Sequence, residues 1–134
     1  MSWDLFVQDL PVSAVSVSDI PDDFTPRPIG QYAVIVNAIV TVLPFADTTD
    51  RTWIKADAQG VNLEISMDGA DPVKRFAFHV RGGEHSVGAI AEILNRLGLR
   101  ALDSQSASGI FDVLSAAESL ARWQAYRERN EISR

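Results

Sequence analysis

The chain has 134 residues, a formal net charge of −6, and 46% hydrophobic and 22% charged residues, a composition typical of one folded domain. It contains no cysteine, which excludes disulfides and cysteine nucleophiles. With only two histidines besides, we predict no metal site and no cofactor. The acidic balance argues against general nucleic-acid binding. The sequence shows no apolar run of transmembrane length and no signal peptide, which predicts a cytoplasmic protein with no membrane association.

The first thirty residues predict a short strand followed by a long loop. Residues 3–7 alternate apolar and polar side chains, as a half-buried strand does. Four prolines then exclude a regular helix or a central strand over residues 11–30. We expect Ile20, Phe24 and Ile29 to pin this segment to the domain, and a mobile lid is the alternative.

Residues 31–43 are rich in Val and Ile but carry polar residues at helical spacing. Asn37 and Thr41 lie four positions apart, and Gln31 lies close to the same angular sector. This pattern predicts a mostly buried helix with a narrow polar stripe, and Pro44 ends it.

The middle of the chain predicts an antiparallel meander of three strands, at residues 52–58, 61–67 and 73–81. A Gln-Gly pair suits the first hairpin turn and sets Ala56 opposite Leu63. A second turn, which pairs Asp68 with Val73, sets Leu63 opposite Phe78. Both turns give the same separation of an apolar and a polar face, which a slip of one residue would destroy.

The last third predicts two helices and a short strand between them. A helix at residues 84–97 has its apolar stripe on one face and ends at Gly98, which suits a left-handed cap. Residues 99–102 predict a short strand. A final helix at 113–130 is amphipathic, and residues 113–134 are expected to dock on their own domain or on another subunit.

These elements together predict an α+β fold with two layers. The meander forms one layer, and the helices lie mainly on its apolar face. We predict a single domain over residues 1–134. The order of strands beyond the meander does not follow from the sequence.

Six short segments of the chain occur together in a familiar order. They are Met1-Ser2-Trp3-Asp4, Ile20-Pro21-Asp22-Asp23-Phe24, Pro28-Ile29-Gly30, His79-Val80-Arg81-Gly82-Gly83, Leu97-Gly98-Leu99-Arg100-Ala101 and Gly109-Ile110-Phe111-Asp112. In these segments the chain resembles a family of small bacterial proteins that are usually described only as hypothetical. The resemblance covers about residues 1–112 and implies a bacterial cytoplasmic protein. It brings no known activity and no catalytic residues.

The first candidate site is the turn at Arg81, Gly82 and Gly83. Glycines at the start of a helix expose backbone N–H groups to an anion, and Arg81 adds a charged fork for phosphate or carboxylate. The segment lacks the glycine spacing of dinucleotide-binding and phosphate-binding loops. A plain structural turn is therefore the favoured interpretation.

The second candidate site lies on the polar face of the meander. The predicted register places Asp57, Asn62 and His79 in one cross-strand row, where a carboxylate and an amide would orient an imidazole for acid–base work. The simpler interpretation is a solvated face, since the register places no serine nucleophile beside His79.

A third candidate is an interaction surface formed by Trp53 and Arg75, with Trp123 of the last helix.

No catalytic constellation is evident from the residues alone. The leading hypothesis is therefore a non-enzymatic binding or protein-interaction module, whose partner is another protein or a second copy bound through the C-terminal helix. The alternative is a protein or enzyme that binds a small anionic ligand through His79 and the turn of Arg81, Gly82 and Gly83.

Overall fold

The computed structural model describes residues 2–112 and residue 125. The described part has the α+β fold that the sequence predicts, with elements β1 Trp3–Gln8, α1 Tyr32–Val42, β2 Asp47–Asp50, β3 Trp53–Ala58, β4 Val61–Met67, β5 Arg75–Gly82, α2 Ser86–Leu97 and β6 Arg100–Asp103. The predicted helix at 113–130, its docking and Trp123 lie outside the described residues. No helix among residues 2–112 has the length and apolar character needed to cross a bilayer.

The strands form one antiparallel sheet in the order β2-β3-β4-β5-β1-β6. The meander of β3, β4 and β5 is confirmed, and β1 continues it by pairing with β5 on one side and with β6 on the other. The first strand of the chain is thus an interior strand of the sheet. Its partners are the strands nearest to the end of the described chain.

Both helices pack on the same face of the sheet, which we call the inner face. Ile35 and Ile39 of α1 and Ile90 and Ile93 of α2 are fully buried against the apolar strand residues. The strand residues in this core are Trp3, Leu5, Val7, Ile54, Ala56, Val61, Leu63, Ile65, Met67, Phe76, Phe78, Val80 and Ala101. The two-layer arrangement is therefore confirmed for the described residues, and the opposite, outer face carries no described helix.

The prediction that α1 is mostly buried is wrong. Three of its residues, Ile35, Ala38 and Ile39, are buried, while Val34 is 55% exposed beside exposed Asn37. A helix that lies on one face of a single sheet is covered from one side only, so its far side meets solvent whatever its composition. The high Val and Ile content of this segment indicates burial on both sides, although only one side of the helix is covered.

The register between β3 and β4 is confirmed, with Ala56 opposite Leu63. The predicted register between β4 and β5 is wrong by two residues, because Leu63 faces Val80 instead of Phe78. The cause lies in Val73, whose N–H donates to the Gly30 carbonyl and whose carbonyl accepts from the Ile29 N–H, both at 2.7 Å. Val73 is thereby held outside β5, which begins at Arg75. A shift of two residues leaves each side chain on its predicted face.

The sequence did not predict β2. This edge strand is polar and exposed along its whole length, so it shows no alternation of apolar and polar residues that would indicate a strand. Its two aspartates suit an unpaired edge, since charge there discourages the pairing of other chains.

The long N-terminal loop is anchored at several points. Ile29 packs against the main core, and Ile20 packs against a second small cluster of Leu10, Ala14 and Ile110. Phe24 is half-buried. The Arg100 guanidinium also holds this loop by donating hydrogen bonds to the backbone carbonyls of Ala14, at 2.5 Å, and of Pro11.

We expect Leu63→Ala to reduce the free energy of unfolding by about 2–5 kcal/mol, because Leu63 is 1% exposed and its removal leaves a cavity beneath the sheet. Lys55→Ala is the matched control on the exposed face of the neighbouring strand and should change stability by less than about 0.5 kcal/mol. Urea unfolding monitored by circular dichroism measures both. Equal losses at the two positions would contradict the assignment of faces.

Candidate functional site

Three strands of the outer face bring a serine, a histidine and an aspartate into one hydrogen-bonded line. His79 of β5 lies directly opposite Asp4 of β1, and its Nδ1 is 2.8 Å from the Asp4 Oδ1. Its Nε2 is 2.8 Å from the Ser66 Oγ of β4. The His79 side chain is 18% exposed, so the line is partly shielded from water.

The identity of these groups sets the direction of both hydrogen bonds when the imidazole is neutral. The ionised Asp4 carboxylate only accepts, so the proton of the neutral ring must lie on Nδ1. Nε2 is then an acceptor, and the Ser66 hydroxyl must donate to it. Ser2 Oγ also donates to the Asp4 Oδ1, at 2.5 Å. This is the protonation pattern of a serine activated by a histidine that a carboxylate orients.

An aromatic ring and a second set of charges hold the histidine in place. The Trp53 ring stacks on His79 with centroids 5.2 Å apart and an angle of 10° between the planes. The Trp53 indole donates to Glu64 at 2.8 Å, and Arg81 Nε donates to the other oxygen of the same carboxylate at 2.6 Å. The Trp53 hydrogen bond, and then Arg81, lower the pKa of Glu64 against the opposing effect of its burial.

A groove of about 390 Å³ opens beside Ser66 on the same face. Its apolar lining includes Phe6, which is 51% exposed, together with Ala77 and Leu102. Arg75 also lines the groove, and its guanidinium makes no ion pair or side-chain hydrogen bond with any residue of the described part. The groove therefore combines an apolar surface, a hydroxyl and a positive charge that is unpaired among the described residues.

The register explains how these groups come together. Ser66 lies directly opposite Ala77, so Arg75 and His79, two residues to either side of Ala77, are its diagonal neighbours on the same face. The small Ala77 side chain leaves the space that the groove occupies. Backbone amides of the interior strands belong to the sheet ladder, so the donors offered to a charge beside Ser66 are side chains, of which Arg75 is the charged one among those that line the groove.

The structure does not bring together the predicted row of Asp57, Asn62 and His79. Asp57 and Asn62 do face each other, but the residue opposite His79 is Glu64. Asn62 lies opposite Gly82, beyond an irregularity in the register. The two-residue shift between β4 and β5 accounts for this error.

The predicted register also places Trp53 and Arg75 in one row through Ser66, and this row does not form, for the same reason. Trp53 faces Ser66, and Ser66 faces Ala77, so Trp53 stacks on His79 instead. Ser66 and Asp4 were not predicted as neighbours of His79. The alternation in β1 does place Asp4 on the polar face, but nothing in the sequence indicates that β1 pairs with β5.

The Gly82-Gly83 turn joins α2 to the hairpin between β3 and β4. Ser86 Oγ donates to the Gly82 carbonyl at 2.6 Å and accepts from the Asn62 N–H at 3.1 Å. The neighbouring Arg81 side chain bonds to Glu64 on the outer face. This geometry favours the plain structural turn over the predicted anion site.

We expect Gly83→Ala to destabilise the protein by about 2 kcal/mol or more. A Cβ at this position would lie 2.6 Å from the Gly60 carbonyl oxygen, and the backbone φ is +85°. Gly88→Ala is the matched control in α2, where a Cβ meets nothing within 4 Å, and it should stabilise the helix by about 0.5–1 kcal/mol. Thermal melts of both variants test this, and a neutral Gly83→Ala would show that the turn is not tightly packed.

The lowered pKa of Glu64 predicts a pH dependence of stability with a definite sign. The folded chain keeps this carboxylate ionised at pH values below its ordinary pKa of about 4.5. Its contribution to stability is therefore complete above that value and is lost as the pH falls through the lower, folded pKa. The difference in unfolding free energy between the wild type and Glu64→Gln should be constant from about pH 5 to 7 and shrink below about pH 4. A difference that stays the same at pH 3 and at pH 7 would contradict the effect.

No group of three or more His, Asp or Glu side chains suited to a metal ion occurs within the part of the chain that the structure describes. Comparisons with protein-family models, with curated proteins and with solved structures find no match to this chain.

Proposed function

We propose that the protein is a binding domain for a small organic monoanion with an apolar group, such as a medium-chain carboxylate, and that the outer-face groove is its site. The observation that carries the proposal is Arg75, whose guanidinium lies beside an apolar groove and pairs with no residue in the part of the chain that the structure describes. A guanidinium binds a carboxylate through two parallel hydrogen bonds. The exposed Phe6 ring provides apolar surface for the rest of the ligand.

The size and lining of the groove support a small ligand. Its volume of about 390 Å³ lies in the range of small-molecule sites, which are mostly apolar with a few polar groups that fix orientation. Ser66 and Gln8 supply such groups on the groove wall. A ligand with a short apolar chain would cover Phe6 and Leu102 and leave its charged end at Arg75.

The charges around the groove support a ligand with a single negative charge. Asp68 also lines the groove, and its carboxylate disfavours a ligand with a second negative charge. The chain as a whole has a net charge of −6, which repels polyanions at long range. A carboxylate fits these conditions better than a phosphate.

This proposal keeps the leading sequence hypothesis of a binding module and moves the anion site from the Gly82-Gly83 turn to Arg75. We further propose that the protein is bacterial and cytoplasmic, which is supported by the resemblance to small bacterial proteins and by the lack of cysteine. The proposed partner is a second copy of the chain, bound through residues 113–134. Analytical ultracentrifugation tests this pairing: we expect a dimer for the full chain and a monomer for a chain that ends at residue 112.

Calorimetric titration with octanoate, and with octanol as its uncharged counterpart, tests the groove. We expect octanoate to bind, and Arg75→Ala to weaken it about tenfold or more while leaving octanol unaffected, since only the carboxylate meets the guanidinium. Lys74→Ala is the matched control, because Lys74 is the exposed neighbouring cation and does not line the groove. Equal losses in the two variants would reduce the effect to general electrostatics, and no octanoate binding in the wild type would refute the proposal.

A further inference from the structure

We propose that Ser66 is an activated nucleophile and that the site hydrolyses esters of apolar carboxylic acids. The inference rests on the proposed groove, because the carboxylate that the groove binds is the product of such a cleavage. It comes from a different observation, namely the line of hydrogen bonds from Ser66 through His79 to Asp4. Both of its distances are 2.8 Å.

The three side chains satisfy the geometric requirements for nucleophilic activation. The base lies within hydrogen-bond reach of the nucleophile, and a third group orients the base. His79 is held on its ring face by Trp53 and at Nδ1 by Asp4, so its Nε2 is directed at the Ser66 hydroxyl. Ser66 in turn lines the groove that would hold the acyl chain.

The reaction balances with water as the second reactant. Ser66 Oγ attacks the ester carbonyl carbon while its proton passes to His79 Nε2, and the carbonyl π electrons move to the oxygen. The tetrahedral intermediate collapses, the bond to the alcohol oxygen breaks, and the alcohol takes the proton from Nε2. Water then attacks the carbonyl carbon of the acyl-serine and loses a proton to Nε2. The bond between that carbon and Ser66 Oγ breaks, Oγ takes the proton back from Nε2, and the carboxylic acid is released.

Arg75 would stabilise the oxyanion, which backbone amides do in many acyl-transfer sites. The negative charge on the tetrahedral oxygen develops beside Ser66, where the diagonal Arg75 side chain is within reach. The same guanidinium would then hold the product carboxylate. Asp4 acts through His79, so it is a positioning residue.

Labelling of the full chain with an alkyl fluorophosphonate tests the nucleophile directly. We expect a mass increase of one adduct, mapped by peptide mass spectrometry to Ser66, and no adduct in Ser66→Ala. Ser104→Ala removes an exposed serine elsewhere on the chain and should label like the wild type. Because the adduct is mapped in the wild type, the result stands even if a variant fails to fold.

The rate of labelling tests the relay. His79→Gln should slow it about 100-fold or more, as expected for the loss of a general base. Asp4→Asn should slow it and shift its pH profile, because the imidazole loses the group that fixes its tautomer. A hydrolysis assay with p-nitrophenyl octanoate should show the same order of activities.

The outcomes separate this inference from the proposed groove. Octanoate binding without any adduct at Ser66 would overturn the nucleophile and leave the groove intact. An adduct at Ser66 with no octanoate binding would support the nucleophile and overturn the groove as its acyl site. An adduct that forms equally fast in the wild type and in His79→Gln would overturn the relay.

Discussion

The placement of β1 inside the sheet is the constraint on which the rest of the structure depends. On the inner face, Trp3 and Leu5 complete the core, and the Trp3 indole donates to the buried Asp103 carboxylate of β6 at 2.8 Å. On the outer face, the same strand supplies Asp4 to His79 and Phe6 to the groove. One strand of six residues thus contributes both to the core of the domain and to the hydrogen-bonded groups of its outer face.

The outer face is neither a solvated surface nor a second core. The polar groups around His79 are half-buried and satisfy one another, so that Glu64 accepts from both Trp53 and Arg81 while His79 bridges Ser66 and Asp4. Polar groups shielded in this way make stronger hydrogen bonds than they would in water, and they keep fixed positions. Arg75 differs from them, because it is exposed and lines the groove without a described partner.

The sequence predicts the parts of this fold that depend on local patterns. The alternation along β3 and β4 and their two-residue turn fix both the register and the faces, and the apolar stripe before Gly98 fixes the end of α2. The connection before β5 has no such local rule, because its length depends on the bonds between Val73 and the distant Gly30 segment. The site was missed for the same reason, since Ser66 and Asp4 meet His79 only through that register and through the position of β1.

The interior position of β1 also shapes how the chain reaches its native state. Trp3 and Asp103 are 100 residues apart, and Asp4 and His79 are 75 apart. Contacts between such distant residues make folding slow, because the closure of a long loop must precede the gain from pairing. At typical rates of synthesis β1 leaves the ribosome roughly 5–20 s before β6 does. Until β5 follows, the apolar side chains of β1 have no strand to pair with, and the histidine acquires its carboxylate only when β1 pairs with β5.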